Sequence, residues 1–293
     1  MLFATLLYSV VNGDTFELPR HNRLATTFKT EEIDTAGQKR TRILTDHFDI
    51  SSFSTEEGTL VGQQLEHLLS AWELLFDQFL QEANIEPAPH RHKIILYRDK
   101  QEYTANLLRL DPSIARSNGY YSPLGKTAYF FSPETRVLFH EGTHQILEER
   151  FFGGHTPAFR NNFWLIEGIA LFMQTLKIEE KCYKIGNILD DRLFAAREYQ
   201  FRRNYHLPIR KLTAMSMAEI QTSVNLQEVY SQSATLVHWL MFAEEGRYRK
   251  HLFELLRQTY HDSAKPDTLS ELIGLSYEEL DKKYMEFLKT IPE

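Results

Sequence analysis

His140, Glu141 and His144 stand within the run RVLFHEGTHQILEER, residues 136–150. Imidazoles are the commonest metal ligands among side chains, and a glutamate beside them can move a proton. On a helix four residues turn through about 400°, so His140 and His144 project from one face roughly 6 Å apart. Two imidazoles so placed can reach one zinc ion at about 2.0–2.1 Å. Glu141 lies about 100° round the helix from His140. That puts it beside the ion, where a carboxylate can deprotonate a water, and not in line with the ligands. Three fixed positions in five make a short pattern, and a surface histidine pair would carry it equally well. A metal centre needs a third protein ligand in a suitable setting.

Glu167 offers that setting. It lies in FWLIEGIALFM, residues 163–173, where every neighbour within four positions is apolar or glycine. A helix that is apolar on nearly all sides is buried. An isolated ionised carboxylate there would cost many kcal/mol. A divalent metal is one partner that removes this cost; an arginine is the other, with Arg136 and Arg160 as candidates. Gly142 and Gly168 each sit inside a helical pattern, where glycine costs about 1 kcal/mol relative to alanine. Close approach of another helix is one reason to accept that cost. Other third ligands fit less well. In the pattern H-E-x-x-H-x-x-G-x-x-H, Leu147 and Arg150 stand where glycine and histidine are required. His155 in FGGHTP would have to reach back from a loop. Glu148 lies a turn beyond His144, too far to share a metal with His140, and reads as a surface or supporting residue.

The elements that must position these residues follow from periodicity. RILTDHFDISSF, residues 42–53, alternates like a strand, and TEEGTLVGQQLEHLLSAWELLFDQFL carries apolar residues at helical spacing. HKIILYRD is a short strand, and Gly119 to Phe131 reads as a hairpin turning at SPLGK. Beyond Phe131 the pattern becomes almost wholly helical. Ser132 is placed as N-cap of the histidine helix, with Pro133 at its first position and Glu134 in its first turn. NNFWLIEGIALFMQTLK follows, then helical patterns over residues 190–203, 225–245, 247–260 and 276–288. Strands first and helices afterwards predict an α+β fold. Residues 1–41 read as an extension, with 14–41 polar and loosely patterned. Residues 42–293 read as one domain, a sheet-containing lobe over 42–131 and a mainly helical lobe over 132–293.

The chain has 293 residues, a formal charge of −7, and apolar and charged fractions of 42% and 25%. This is the composition of a soluble globular protein. No basic footprint for nucleic acid is present. The single cysteine, Cys182, rules out a disulfide framework and a cysteine-rich zinc site. It sits in EEKCYK without a nucleophile's signature. No run reaches the ~18–20 apolar residues that a membrane span needs. Residues 2–11 are apolar and suit either a signal-peptide core lacking a positive start or a strand ending at the NGD turn of residues 12–14. The compartment, periplasmic or secreted against cytoplasmic, and the oligomeric state are left open.

HEGTH followed by WLIEGIA resembles the glutamate zincins, the thermolysin-like clan of metallopeptidases. It is closer still to bacterial families of that clan without a characterised substrate. The resemblance runs from about Leu44 to the C-terminus and takes in VYSQSATLVHWL and IGLSYEELDKKYMEFL. It implies a zincin-like catalytic domain with Zn2+ as cofactor. His140, His144 and Glu167 would be the ligands and Glu141 the general base. Twenty-two residues, 145 through 166, separate His144 from Glu167, slightly more than in thermolysin-type members, and FFGGHTPAFR can hold the excess. Where thermolysin has an aspartate that orients a histidine, this chain has Leu171. The clan also stabilises the oxyanion with a tyrosine or histidine. Tyr230 is the candidate for that catalytic role, with a core tyrosine as the bland alternative and His238 as a weaker candidate. The implied function is a zinc-dependent peptidase acting on a peptide or protein, with the hairpin over residues 120–131 as an edge for extended substrate. The alternative is a non-catalytic, zinc-stabilised helical interaction module.

Overall fold

The computed structural model describes residues 15–20, 27–35, 37–80, 90–110, 112–152 and 157–292. The fold is mixed α+β, as the order of patterns predicts, with one six-stranded mixed sheet and one three-stranded sheet. The described residues divide into two compact units. One holds residues 27–77 and 90–157; the other holds residues 15–20, 78–80 and 158–292.

The first unit is built on the six-stranded sheet. β1 (Phe16–Pro19) belongs to the other unit, so the sheet begins with β2 (Lys29–Thr35) and β3 (Gln38–Leu44). It continues through β4 (Phe48–Ser52), β5 (His92–Leu96), β6 (Gly119–Ser122) and β7 (Thr127–Phe130). The spatial order is β2-β3-β4-β5-β7-β6. β4, β5 and β7 run parallel, while β2, β3 and β6 pair antiparallel to their neighbours. Parallel neighbours need a long crossover. Helix α1 (Thr55–Leu80) lies on the connection from β4 to β5. Its Val61, Leu65, Leu68, Leu69, Trp72, Leu75 and Phe76 recur at helical spacing and are all buried. The connection from β5 to β6 carries α2 (Lys100–Leu107), which the pattern did not foretell because its apolar face is weak. The Asp99 carboxylate caps it by accepting the Glu102 N–H at 2.8 Å. Tyr103 and Leu107 of α2 pack with Tyr97 and Ile114 as a satellite core.

The histidine helix α3 (Thr135–Ile146) closes this unit and runs on into a π-helical turn, Leu147–Phe151. Glu134 occupies its N-cap position, so the helix starts two residues later than a Ser132 cap would set, and no side chain caps it.

The second unit is helical around α4 (Phe163–Met173). α5 (Asp191–Arg203), α6 (Ile209–Ala214), α7 (Met217–Gln221) and α8 (Leu226–Phe242) follow, then α9 (Arg249–Tyr260), α10 (Thr268–Ile273) and α11 (Tyr277–Leu288). Nearly every residue of α8 from Val229 to Met241 is buried, which makes it the central helix, with α4 and α5 packed on it. Serine–glutamate capping boxes start α7 and α11, at Ser216/Glu219 and Ser276/Glu279.

Two expectations are corrected. The chain after Phe131 is not almost wholly helical, since β8 (Lys177–Ile178) and β9 (Cys182–Ile185) form a small sheet with β1. Both strands are too short to show a period. Residues 14–41 are not loose, since β1, β2 and most of β3 lie there. β2 hid because almost all of it is exposed, so no alternation marks a buried face. The apolar opening segment, its NGD turn and His155 lie outside the described residues. Among the described residues no helix is long and apolar enough to cross a membrane.

Candidate metal centre

α3 divides its residues cleanly. Leu138, Phe139, Gly142, Thr143, Gln145 and Ile146 are buried, whereas His140, Glu141 and His144 are half-buried. The rotation of the helix is held by its buried side. Trp72 Nε1 donates to Thr143 Oγ1 at 3.3 Å, and Gln145 Nε2 donates to the Lys93 carbonyl at 3.2 Å. Gly142 allows α1 to come close, for a Cβ there would stand 2.8 Å from Leu65 Cδ2 and 2.9 Å from Leu68 Cδ2. The glycine in the motif is therefore a packing requirement, as close helix approach predicts.

The two histidines converge. His140 Nε2 and His144 Nε2 are 3.4 Å apart, with their rings nearly perpendicular at 84°. Two nitrogens at about 2.05 Å from one tetrahedral ion would stand roughly 3.3 Å apart. The pair thus has the spacing that shared coordination requires. One imidazole can also donate to the other at this separation when both are neutral.

Glu141 is positioned by a strand that sequence reasoning did not connect to it. The Tyr121 backbone N–H, on edge strand β6, donates to Glu141 Oε2 at 3.0 Å. In an antiparallel pair the N–H groups alternate between the partner strand and the open side. Tyr121 sits at an open-side position of β6. Two residues earlier, a Cβ on Gly119 would stand 2.7 Å from Val137 Cγ1 and 3.0 Å from Glu141 Cγ. Gly119 therefore gives the strand room to lie over the glutamate. The available signal was a glycine opening a hairpin strand otherwise rich in tyrosine.

Of the two readings open for Glu148, surface or supporting residue, burial removes the first. Glu148 is 3% exposed, and its neighbour Glu149 is 7% exposed. The π-helical turn directs both inward. Glu149 Oε2 meets His92 Nδ1 at 2.8 Å, and Glu149 Oε1 accepts from Gln145 Nε2 at 3.1 Å. Glu148 Oε1 accepts the Tyr121 hydroxyl at 3.3 Å. Burial, and then the facing carboxylates of Glu148 and Glu149, push the Tyr121 phenol well above its ordinary range, so it remains a donor.

Glu167 lies in the second unit, on α4, where all eleven residues are buried. Its own exposure is 6%. Each large apolar side chain of this helix contributes about 1.5–3 kcal/mol by its burial, and the charge sets several kcal/mol against that unless it is partnered. Gly168 beside it lets α4 meet α8, since a Cβ there would stand 2.7 Å from the Ser233 carbonyl oxygen. Tyr230 is half-buried in the second turn of α8, between Val229 and Ser231, which are fully buried.

His238, the weaker oxyanion candidate, is a core residue. It is 2% exposed and lies against the rings of Phe172, Phe242 and Phe287. Burial pushes its pKa down to about 3, so it stays neutral among aromatics and cannot supply positive charge. Burial and the nearby Glu17 and Glu179 carboxylates push the Cys182 thiol up, away from the thiolate form that a nucleophile needs.

Compared with protein-family models and with curated proteins, the chain matches none.

Proposed function

We propose that this protein is a zinc-dependent peptidase with a zincin-like catalytic domain, in which His140, His144 and Glu167 hold the metal and Glu141 is the general base. The observation that carries the reading is the donor set itself. Each of the three residues offers one ligand atom, and these atoms lie within 4.8 Å of one another. Among the described residues no other group of His, Cys, Asp or Glu side chains shares this property. Two neutral imidazoles and one carboxylate are a set that catalytic zinc sites use, with a fourth position left for water.

When bound, zinc in such a set acidifies a water and polarises a carbonyl oxygen. The protein's own residues do the rest. Glu141, held by the Tyr121 N–H, is placed to take the proton from the attacking water and then to deliver it to the leaving amine nitrogen. The Tyr230 hydroxyl is the group assigned to donate to the oxyanion as the carbonyl becomes tetrahedral. β6 is the edge strand of its sheet, and extended peptide pairs readily with such an edge.

Metal analysis of purified wild type against His144→Ala tests the centre, with about one zinc per chain expected in the first and a large loss in the second. Glu141→Gln should keep the metal and lose cleavage of a peptide library by about 10²–10⁴-fold. Full metal content in a wild type without any hydrolysis would instead identify a zinc-stabilised interaction module. No bound metal would remove both readings.

A further inference from the structure

The side chain of Tyr121 has no part in the chemistry above, yet it spans two features of the same helix. Its backbone N–H holds Glu141 at 3.0 Å, and its hydroxyl reaches Glu148 at 3.3 Å, about two helical turns further along. Glu148 and Glu149 are buried in a π-helical turn, a rare geometry that often marks functional sites. Glu149 is braced in turn by His92, on β5, and by Gln145. Two adjacent buried carboxylates are expensive to maintain without partners. A hydroxyl aimed at them is one of the partners they have.

We infer that Tyr121 is a positioning residue for the general base: its hydroxyl, anchored on the buried Glu148–Glu149 turn, fixes the register of β6 over α3 so that the Tyr121 N–H holds the Glu141 carboxylate in place. This inference rests on the hydrolase reading of the site. The geometry makes the clamp two-pointed. β6 is only four residues long and is held by β7 along one edge alone, which leaves its open edge some freedom to lift from α3. The hydroxyl anchor removes that freedom, and the absent side chain at Gly119 lets the strand sit close enough for the first contact. Since the phenol stays protonated, the anchor works at every pH at which the enzyme would act.

The experiment is Tyr121→Phe in the full chain, which keeps the backbone N–H and removes only the hydroxyl. Zinc content and KM for a cleaved peptide should remain within about twofold of wild type, while kcat falls by roughly tenfold or more, because small misplacements of a catalytic group are costly. A merely structural role would lower metal content and kcat together, with KM unchanged or raised, or would leave kcat untouched. Glu148→Gln, which keeps an oxygen to accept the hydroxyl, should retain kcat. Should Tyr121→Phe not fold, Glu148→Ala attacks the same bond from its acceptor end and should show the same kcat-selective loss. A crystal structure of the variant gives a readout independent of turnover. The Tyr121 N to Glu141 separation should open beyond the ~3.5 Å at which a hydrogen bond is lost. An active wild type alongside a Tyr121→Phe variant of equal kcat overturns this inference alone. A wild type that cleaves nothing overturns the hydrolase reading and this inference with it.

Discussion

The backbone N–H of Tyr121 donates to the carboxylate of Glu141 across 3.0 Å, joining an edge strand to the glutamate between the two histidines. The contact exists because Gly119 lets β6 lie low over α3. A side chain, even a methyl, must displace Val137 or Glu141.

Gly119→Ala is therefore expected to disturb the proposed base, Glu141, without touching the proposed ligands. A Cβ 2.7 Å from Val137 Cγ1 and 3.0 Å from Glu141 Cγ is closer than packing tolerates. Turnover of a cleaved peptide should drop by about ten- to a hundredfold with zinc content unchanged. Wild-type kcat in Gly119→Ala would show that the strand does not set the position of Glu141.

Removing the metal should weaken the fold as well as stop catalysis. A ligand that binds only the folded chain stabilises it by about 2.7 kcal/mol at a free concentration a hundred times its dissociation constant. Dialysis against a chelator should then lower the thermal midpoint by several degrees, and added zinc should restore it. In Glu167→Gln the response to zinc should shrink, because one anionic donor becomes a neutral one. Identical midpoints with and without chelator in wild type would argue against a site that binds metal in the folded state.

The elements that carry the candidate site were legible because their signals are local. α1 and α4 announce themselves through apolar periodicity or sheer apolar density, and His140 and His144 follow from a fixed spacing on one helix. What stayed hidden is tertiary. Nothing in GYYS says that the Tyr121 N–H faces a glutamate twenty residues away, because open-side N–H groups depend on strand pairing. ILEER leaves Glu148 open between a surface and a supporting residue, and only the π-helical turn carries it and Glu149 inward to His92, Gln145 and Tyr121. β8 and β9 are too short for any period to show.

Gly168→Ala sets two known effects against each other. Alanine gains about 1 kcal/mol over glycine in a helix interior. Here the new Cβ would stand 2.7 Å from a backbone oxygen of α8, Ser233 O, which cannot rotate aside. Overpacking of this kind costs about 1–3 kcal/mol or more, so the net effect should be a loss of stability. The thermal midpoint should fall by a few degrees, and zinc affinity should fall with it because Glu167 is the adjacent residue. A midpoint raised by the substitution would mean that α4 and α8 separate freely.

Away from the centre, Glu66 makes the first unit's stability depend on pH. Its carboxylate, on α1, accepts the Thr45 hydroxyl at 2.6 Å, the His47 N–H at 2.9 Å and His47 Nδ1 at 2.8 Å, clamping the turn between β3 and β4. Burial pushes Glu66 up, but the hydrogen bonds from His47 and Thr45 outweigh it, so its pKa lies below the usual 4.5. The hydrogen bond to Glu66 raises His47 above 6.5 against the cost of burial, with Arg150 opposing and Glu73 assisting. A lowered carboxylate stabilises the fold above about pH 4.5 and loses that contribution as pH falls through its folded value. A raised histidine stabilises below about pH 6.5 and loses its contribution as pH rises through its folded value. Both contributions are present in full together only between about pH 4.5 and 6.5. Thermal midpoints of wild type and Glu66→Gln should therefore differ most inside that window, with the gap narrowing towards acid and towards pH 8. The His47 ring is partly exposed, so added salt should shrink the gap further. A gap that is constant from pH 4 to 8 would mean that Glu66 acts through its neutral hydrogen bonds alone.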